Sequence, residues 1–252
     1  MQRVLIGAAV LVAAVSCKTR EQEASAAASA VDNPAVVAPA KELAKPAVDP
    51  ALIARGKYIA NVTGCVLCHT PFGPQGPDVG KAWAGGLEIP EKFGTWRSPN
   101  ISQDKKTGIG SWSDEQIVAA VREGVRPDGS KLYPIMPYLF YNRMTDADAK
   151  ALVAFLRTTP AIENTVVRAT DLKLPMIPAP KPLNAPDDTA DPVKHGEYLA
   201  TLAHCALCHT PMSKEGMPDQ TKMFAGGFEF EIPMMGEGKI YSSNITSDPA
   251  TG

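Results

Sequence analysis

At 252 residues the chain is long enough for one or two domains, and its formal net charge of -2 gives no indication of nucleic-acid binding. Only 6% of the residues are aromatic, so any hydrophobic core must be small. Small cores need additional stabilisation, which a metal or a bound prosthetic group can supply.

Residues 1–17 predict a signal peptide that ends in a lipobox. Arg3 is the only charged residue of the segment, and residues 4–15 form an apolar run too short to span a bilayer. Residues 14–17 (Ala-Val-Ser-Cys) resemble a bacterial lipobox, in which cleavage leaves Cys17 as a lipid-carrying N-terminal residue. We expect secretion across the inner membrane and a periplasmic protein anchored through Cys17. The alternative is an ordinary signal peptide whose cleavage removes Cys17.

Residues 18–48 predict a disordered tether. Alanine, proline and valine alternate there with scattered charges and without a period, which cannot bury enough apolar surface to offset the entropy of ordering. An ordered unit is then expected over residues 49–160. Asp49 is an N-cap residue and Pro50 suits the first position of a helix. Asp191 and Pro192 predict a helix start in the same way later in the chain. The apolar side of the first helix is expected to contain Ile53, Tyr58, Ile59 and Val62.

Residues 65–69 (Cys-Val-Leu-Cys-His) have the spacing of a covalent haem-attachment site. The thiols of Cys65 and Cys68 can each bond a vinyl group of one haem c, and His69 can then bind the iron. The alternatives for C-x-x-C are a zinc site, a thioredoxin-like dithiol and a structural disulfide. A zinc site formed by both cysteine pairs would leave the histidines unexplained, and no βαβ context is apparent nearby.

The motif occurs a second time at residues 205–209, where Cys205, Cys208 and His209 predict a second haem c. Further matches relate the two copies, including Trp83-Ala-Gly-Gly with Phe224-Ala-Gly-Gly. We therefore interpret residues 49–160, the first repeat, and residues 191–252, the second repeat, as copies of one domain. The proline-rich residues 161–190 predict a semi-rigid spacer between them.

No strands can be predicted in the glycine- and proline-rich residues 71–110, and two helices are expected after them. Ser113 and Gln116 form a capping-box pattern, and Thr145 precedes the second helix. The loop between these helices contains Met136 between two prolines, and we predict Met136 as the sixth ligand of the first haem iron. The competing thioethers are Met144, which core packing would equally explain, and Met176 in the spacer. Three tryptophans could line the porphyrin or pack in the core: Trp83, Trp96 and Trp112.

The combined pattern is G-x-Y-[IL]-A, C-x-x-C-H-T-P, A-G-G, N-I-[ST], T-G-I-G-x-W, Y-P-x-M-P-Y and D-A-D-x-x-A-L. It resembles the cytochrome c family that includes the multihaem cytochrome subunits of membrane-bound quinone-linked alcohol and aldehyde dehydrogenases. The resemblance covers residues 55–160, and residues 195–252 as a partial second unit. It implies an all-α fold of tandem cytochrome c domains, His/Met-ligated haems, and electron passage from a dehydrogenase toward a terminal acceptor.

The spacing of the repeat places the methionine loop of the second copy at about position 280. We therefore expect the second domain to be incomplete within these 252 residues. We predict an electron carrier that catalyses no bond chemistry. Its donor would be a dehydrogenase or quinol-oxidising protein, and its acceptor a terminal oxidase or another cytochrome. The alternatives are a peroxidase-like dihaem enzyme with an open second iron and a haem-based sensor. Substitute ligands for the second iron would be Met223, Met234, Met235, His195 or His204.

Overall fold

The computed structural model describes residues 48–91, 94–169, 172–173, 177–178, 181–185, 187–214, 218–230 and 239–252. Within these ranges the chain is mainly helical. The α-helices are α1 (Pro50–Val62), α2 (Cys65–Cys68), α3 (Asp114–Glu123), α4 (Tyr138–Tyr141), α5 (Asp146–Leu156), α6 (Pro192–Leu202) and α7 (Cys205–His209). Short 3-10 helices cover Val79–Lys81 and Gln220–Lys222. The described ranges contain no helix with the length and apolar character needed to cross a membrane.

The helix starts follow from local capping chemistry, as the sequence predicted. Asp49 and Asp191 accept hydrogen bonds from the first backbone N–H groups of α1 and α6, each of which has proline at its first position. Thr145 caps α5 in the same way. The capping box at Ser113 is complete, because Gln116 also accepts the backbone N–H of Ser113.

The Ser113 cap allows a stability prediction. We expect Ser113→Ala to lower the free energy of unfolding by about 1 kcal/mol, because the backbone N–H of Gln116 loses its acceptor. Ser113→Gly is the matched control, since glycine at an N-cap leaves the backbone open to water and costs much less. Chemical denaturation of the haem-loaded chain measures both variants. Equal losses for alanine and glycine would contradict a capping role.

The structure adds antiparallel hairpins that the sequence did not predict. They pair β1 (Phe72–Gly73) with β2 (Gly76–Pro77), β3 (Glu88–Glu91) with β4 (Gly94–Arg97), and β5 (Glu229–Phe230) with β6 (Ile240–Tyr241). Strands this short carry too few residues for an alternating hydrophobic pattern. The fold is therefore mainly helical with small hairpins rather than purely α-helical.

Helices α1 and α5 cross at Gly56. A Cβ atom at Gly56 would lie 1.8 Å from the backbone oxygen of Ala151, so only glycine allows this approach. The buried positions of α1 are consequently Gly56, Ile59 and Ala60. Tyr58 was wrongly assigned to this apolar side, because the crossing turns position 58 outward, where it is 43% exposed beside Arg55.

The hydrophobic core extends from the first repeat into the second. Ile59, Met144 and Leu152 lie at its centre, and helix α6 adds Tyr198 and Leu202, which are 4% and 0% exposed. The start of the second repeat thus packs directly on the first.

The segment predicted as a spacer lies along the first repeat where the structure describes it. Asn164 Nδ2 donates to the backbone oxygen of Ala84 at 2.9 Å. Tyr138 donates its hydroxyl to the backbone oxygen of Ile177 at 2.5 Å. Ala84 is fully buried, so the contact with Asn164 gives its backbone oxygen a partner in place of water.

Candidate haem-attachment site

The first motif follows directly from the end of α1. Thr63 closes α1, Gly64 takes a left-handed conformation with φ 67°, and the single turn α2 then begins at Cys65. Cys65 and Cys68 lie three residues apart on this turn, which places both thiols on the same side. Thr63 Oγ1 lies 3.1 Å from Cys65 Sγ. Burial raises the pKa of the Cys65 thiol and so favours its protonated form.

His69 is buried and held by a single backbone carbonyl. Its Nδ1 lies 2.8 Å from the oxygen of Pro99. A carbonyl can only accept, so Nδ1 carries the proton and Nε2 keeps its lone pair available for a metal. Burial lowers the pKa of His69, which favours the neutral imidazole that iron binding requires.

Gly85, the first glycine of the Gly85-Gly86 pair, lies against His69 of the first motif. Its N–H donates to the backbone oxygen of His69 at 2.9 Å. Its φ is +68°, and a Cβ atom there would lie 2.3 Å from the carbonyl carbon of Pro99. The absence of a side chain therefore lets the Pro99 carbonyl approach both Gly85 and the His69 ring.

The second motif repeats this arrangement. His209 Nδ1 lies 2.9 Å from the backbone oxygen of Ser243, and Gly226 donates its N–H to the oxygen of His209 at 2.8 Å. A Cβ atom on Gly226 would lie 2.5 Å from the nitrogen of Asn244. Both histidines thus have the same orienting contact, and both present Nε2 for a bond.

The structure bears on one alternative for the cysteine pairs, a zinc site shared by both motifs. Each of the four motif cysteines, Cys65, Cys68, Cys205 and Cys208, has a free thiol. In the described part of the chain, no three His, Cys, Asp or Glu side chains are grouped to hold a metal ion. The two motifs therefore do not combine their thiols as zinc ligands.

Two thiols on one helical turn, next to an oriented imidazole, fit covalent haem c. The cysteine pairs would hold the haem c groups, while His69 and His209 would bind iron.

Met136 lies half-buried in a tight turn before α4. Its N–H donates to the oxygen of Tyr133 at 3.1 Å, and its own oxygen accepts from Tyr138 N–H at 2.7 Å. Helix α4 is tied to the first motif, since Tyr141 donates its hydroxyl to the backbone oxygen of Thr63 at 2.8 Å. The ligand role of Met136 remains a prediction. Its competitor Met144 is fully buried in the core.

The other predicted iron ligands, the predicted lipid-anchor residue and the tryptophans lie in different parts of the chain. Met176, Met234 and Met235 lie outside the described residues, as does Cys17. Met223 Sδ lies 3.8 Å from the Thr210 hydroxyl. The tryptophans Trp83 and Trp112 pack against the core, and Trp96 lies in β4.

A largely buried ionic cluster, which the sequence did not predict, joins the two repeats. The carboxylate of Asp148 accepts two hydrogen bonds from Arg55, at 2.7 and 2.8 Å, and one from the hydroxyl of Tyr198 at 2.6 Å. Asp187 accepts from Arg55 Nη2 at 2.7 Å and is also paired with His195. Arg55 and His195 occupy the same position of the repeat, and this correspondence was the available signal for the cluster.

Comparison with known proteins agrees with the site. The family model described as cytochrome c matches residues 53–160. The cytochrome c subunit of a quinone alcohol dehydrogenase from Gluconacetobacter polyoxogenes is 34% identical over 221 residues, covering 82% of this chain and 46% of that protein. A fructose dehydrogenase cytochrome subunit from Gluconobacter japonicus is 36% identical over 214 residues, covering 79% of this chain and 41% of the relative.

A third relative is a diheme cytochrome c-type protein from Cereibacter sphaeroides, 32% identical over 185 residues, covering 69% of this chain and 62% of that protein. The chain spans about half the length of the dehydrogenase subunits that it matches. The family match coincides with the first repeat, its C-x-x-C-H turn and its oriented histidine. Residues 53–160 therefore form a domain of the cytochrome c family, and the chain is a relative of dehydrogenase cytochrome subunits.

Proposed function

We propose that this chain is an electron-transfer protein that carries haem c at both motifs. The observation that carries the proposal is the repeated environment of His69 and His209, each of which donates Nδ1–H to a backbone carbonyl. This contact orients the ring and increases the basicity of Nε2. Haem c, when bound, supplies an iron that gains and loses one electron.

The residues have distinct roles in this proposal. Cys65 and Cys68 form the thioether bonds of the first haem, and Cys205 and Cys208 form those of the second. Met136 completes the coordination of the first iron. A thioether favours reduced iron, so Met136 would raise the reduction potential of the first site. The chain itself catalyses no bond chemistry.

The partners in this proposal are redox proteins. Relatives named as cytochrome subunits of alcohol and fructose dehydrogenases support a dehydrogenase as electron donor. A quinol-oxidising protein could serve in its place, and the acceptor would be a terminal oxidase or another cytochrome. We place the protein in the periplasm, anchored to a membrane through a lipid on Cys17.

The proposal is tested by counting haems. The chain is matured in a host that attaches c-type haem, and pyridine haemochrome spectra give the number of haems per chain. We expect two. The double variant Cys205→Ser/Cys208→Ser should retain one, and Cys65→Ser/Cys68→Ser should retain the other. A parent chain with fewer than two covalent haems would refute the proposal.

The role of Met136 has its own spectral test. We expect Met136→Ala to abolish the sulfur-to-iron absorption at the red edge of the oxidised spectrum, because the first iron loses its thioether. Met144→Leu is the control, since it conserves the volume of a fully buried core residue and should leave the band intact. An unchanged band in Met136→Ala would show that another group binds the iron.

A further inference from the structure

His204, the residue before the second motif, has an unusual backbone conformation. Its φ is 45° and its ψ is 36°, in the left-handed region that glycine adopts freely and that residues with a side chain adopt uncommonly. The first motif has glycine at the same position, Gly64, with φ 67°. The second motif therefore has an imidazole ring at a point where the first motif has no side chain, and the contacts of this ring distinguish the two motifs.

The His204 ring lies against the end of the first repeat. Its centroid is 6.2 Å from that of Phe140 and 6.2 Å from that of Tyr141. His204 is also bonded directly to Cys205, the first cysteine of the second motif. The ring therefore connects the second motif to helix α4 of the first repeat.

Tyr141 continues this connection to the first motif. It is buried, and its hydroxyl donates to the oxygen of Thr63 at 2.8 Å. Thr63 is also buried, and its Oγ1 lies 3.1 Å from Cys65 Sγ. An unbroken series of bonds and contacts thus joins Cys65 to Cys205 through Thr63, Tyr141 and His204.

Helix α6 holds the connection in place. Its last residue, Leu202, is followed by the C-cap Ala203 and then by His204. Tyr198 and Leu202 are buried in the core shared with the first repeat. The Tyr198 hydroxyl accepts from the backbone N–H of Thr145 at 3.2 Å and donates to Asp148. These contacts fix the position of His204 relative to Tyr141.

We propose that Tyr141 and His204 form the route by which electrons pass between the haem at Cys65 and the haem at Cys205. This inference rests on the proposed function. Electron tunnelling falls off more steeply through empty space than through bonds and van der Waals contacts. The noncovalent steps of this series are two close polar contacts, at Thr63, and one ring contact, between Tyr141 and His204. One electron leaves a ferrous iron at one motif and reduces a ferric iron at the other.

The two side chains remain chemically unchanged during this transfer. No covalent bond forms or breaks, and neither ring is itself oxidised. Tyr141 keeps its proton, because burial raises the pKa of its hydroxyl. The hydrogen bond to Thr63 is therefore present throughout.

The test measures transfer between the two haems in the mature dihaem chain. Pulse radiolysis supplies less than one electron per chain, and the sulfur-to-iron band of the first haem reports redistribution. We expect His204→Gly, which suits the left-handed backbone, to slow the transfer about tenfold. His204→Asn, which also tolerates this backbone, should slow it similarly, and Tyr141→Phe to a smaller extent because only the hydrogen bond is lost.

Phe140→Leu is the matched control. The Phe140 ring lies 6.2 Å from the His204 ring, as the Tyr141 ring does, but only Tyr141 donates a hydrogen bond to Thr63. Phe140→Leu should therefore leave the rate of transfer between the haems unchanged. Slower transfer with unchanged haem content and midpoint potentials supports the route. The route is overturned if His204→Gly and His204→Asn both transfer electrons at the wild-type rate. It is also overturned if both variants lose haem or have altered midpoint potentials, because those changes would then explain the slower transfer. Fewer than two haems in the parent chain would instead refute the proposed function.

Discussion

Gly56→Ala is expected to lower the free energy of unfolding by about 3 kcal/mol, at the upper end of what overpacking a core usually costs. The added Cβ would lie 1.8 Å from the oxygen and 2.5 Å from the carbonyl carbon of Ala151. Both are backbone atoms of α5 and cannot move aside as a flexible side chain would. The helices must therefore separate at the centre of the core. Denaturant unfolding, followed by the haem absorption, measures the loss.

The repeat provides a matched control for this variant. Gly196 is the counterpart of Gly56, but a Cβ atom there would meet nothing within 4 Å. Gly196→Ala should therefore stabilise α6 by about 0.5 kcal/mol, because alanine has the higher helix propensity. Opposite signs at the two positions are the expected result. A loss below about 1 kcal/mol at Gly56 would mean that the α1–α5 crossing adjusts easily.

Asp148→Ala is expected to lower the free energy of unfolding by about 3 kcal/mol, since Asp148 is the more buried of the two carboxylates that balance the charge of Arg55. The Asp148 side chain is 5% exposed and accepts from Arg55 and from Tyr198. Arg55 is 33% exposed and retains Asp187, so water and the second carboxylate limit the loss. Thermal or denaturant unfolding of the haem-loaded chain provides the measurement.

Asp188→Ala is the control for Asp148. Its carboxylate pairs with Lys194 at 3.4 Å, and both side chains are well exposed. Exposed pairs contribute little, so the change should stay within about 0.5 kcal/mol. If both aspartate variants lost equal stability, a general effect of charge removal would explain the result better than the buried cluster.

The features that the sequence predicted well are those determined by neighbouring residues. N-caps at Asp49, Ser113, Thr145 and Asp191 are local hydrogen bonds, and their positions were predicted correctly. The C-x-x-C-H spacing likewise fixes a single turn, whatever packs around it. The cytochrome c domain could be predicted because the combined motifs resemble those of the cytochrome c family.

The features that the sequence did not predict depend on distant partners. The outward turn of Tyr58 depends on how closely α5 approaches Gly56, which no neighbour of Tyr58 specifies. In the sequence, Asp148 is an ordinary charge in the first turn of a helix. Its burial depends on Arg55, 93 residues before it, and on Tyr198, 50 residues after it. The orienting carbonyl of Pro99 lies 30 residues from His69 and has no side-chain signature.

The core that α6 shares with the first repeat determines which parts of the chain unfold together. Because Tyr198 and Leu202 are buried with Ile59 and Met144, we expect the cooperative unit to extend past the spacer and to include α6. Amide hydrogens of α6 should therefore exchange as slowly as those of α1, through global unfolding. A protease cut in the spacer would leave α6 docked on the first repeat.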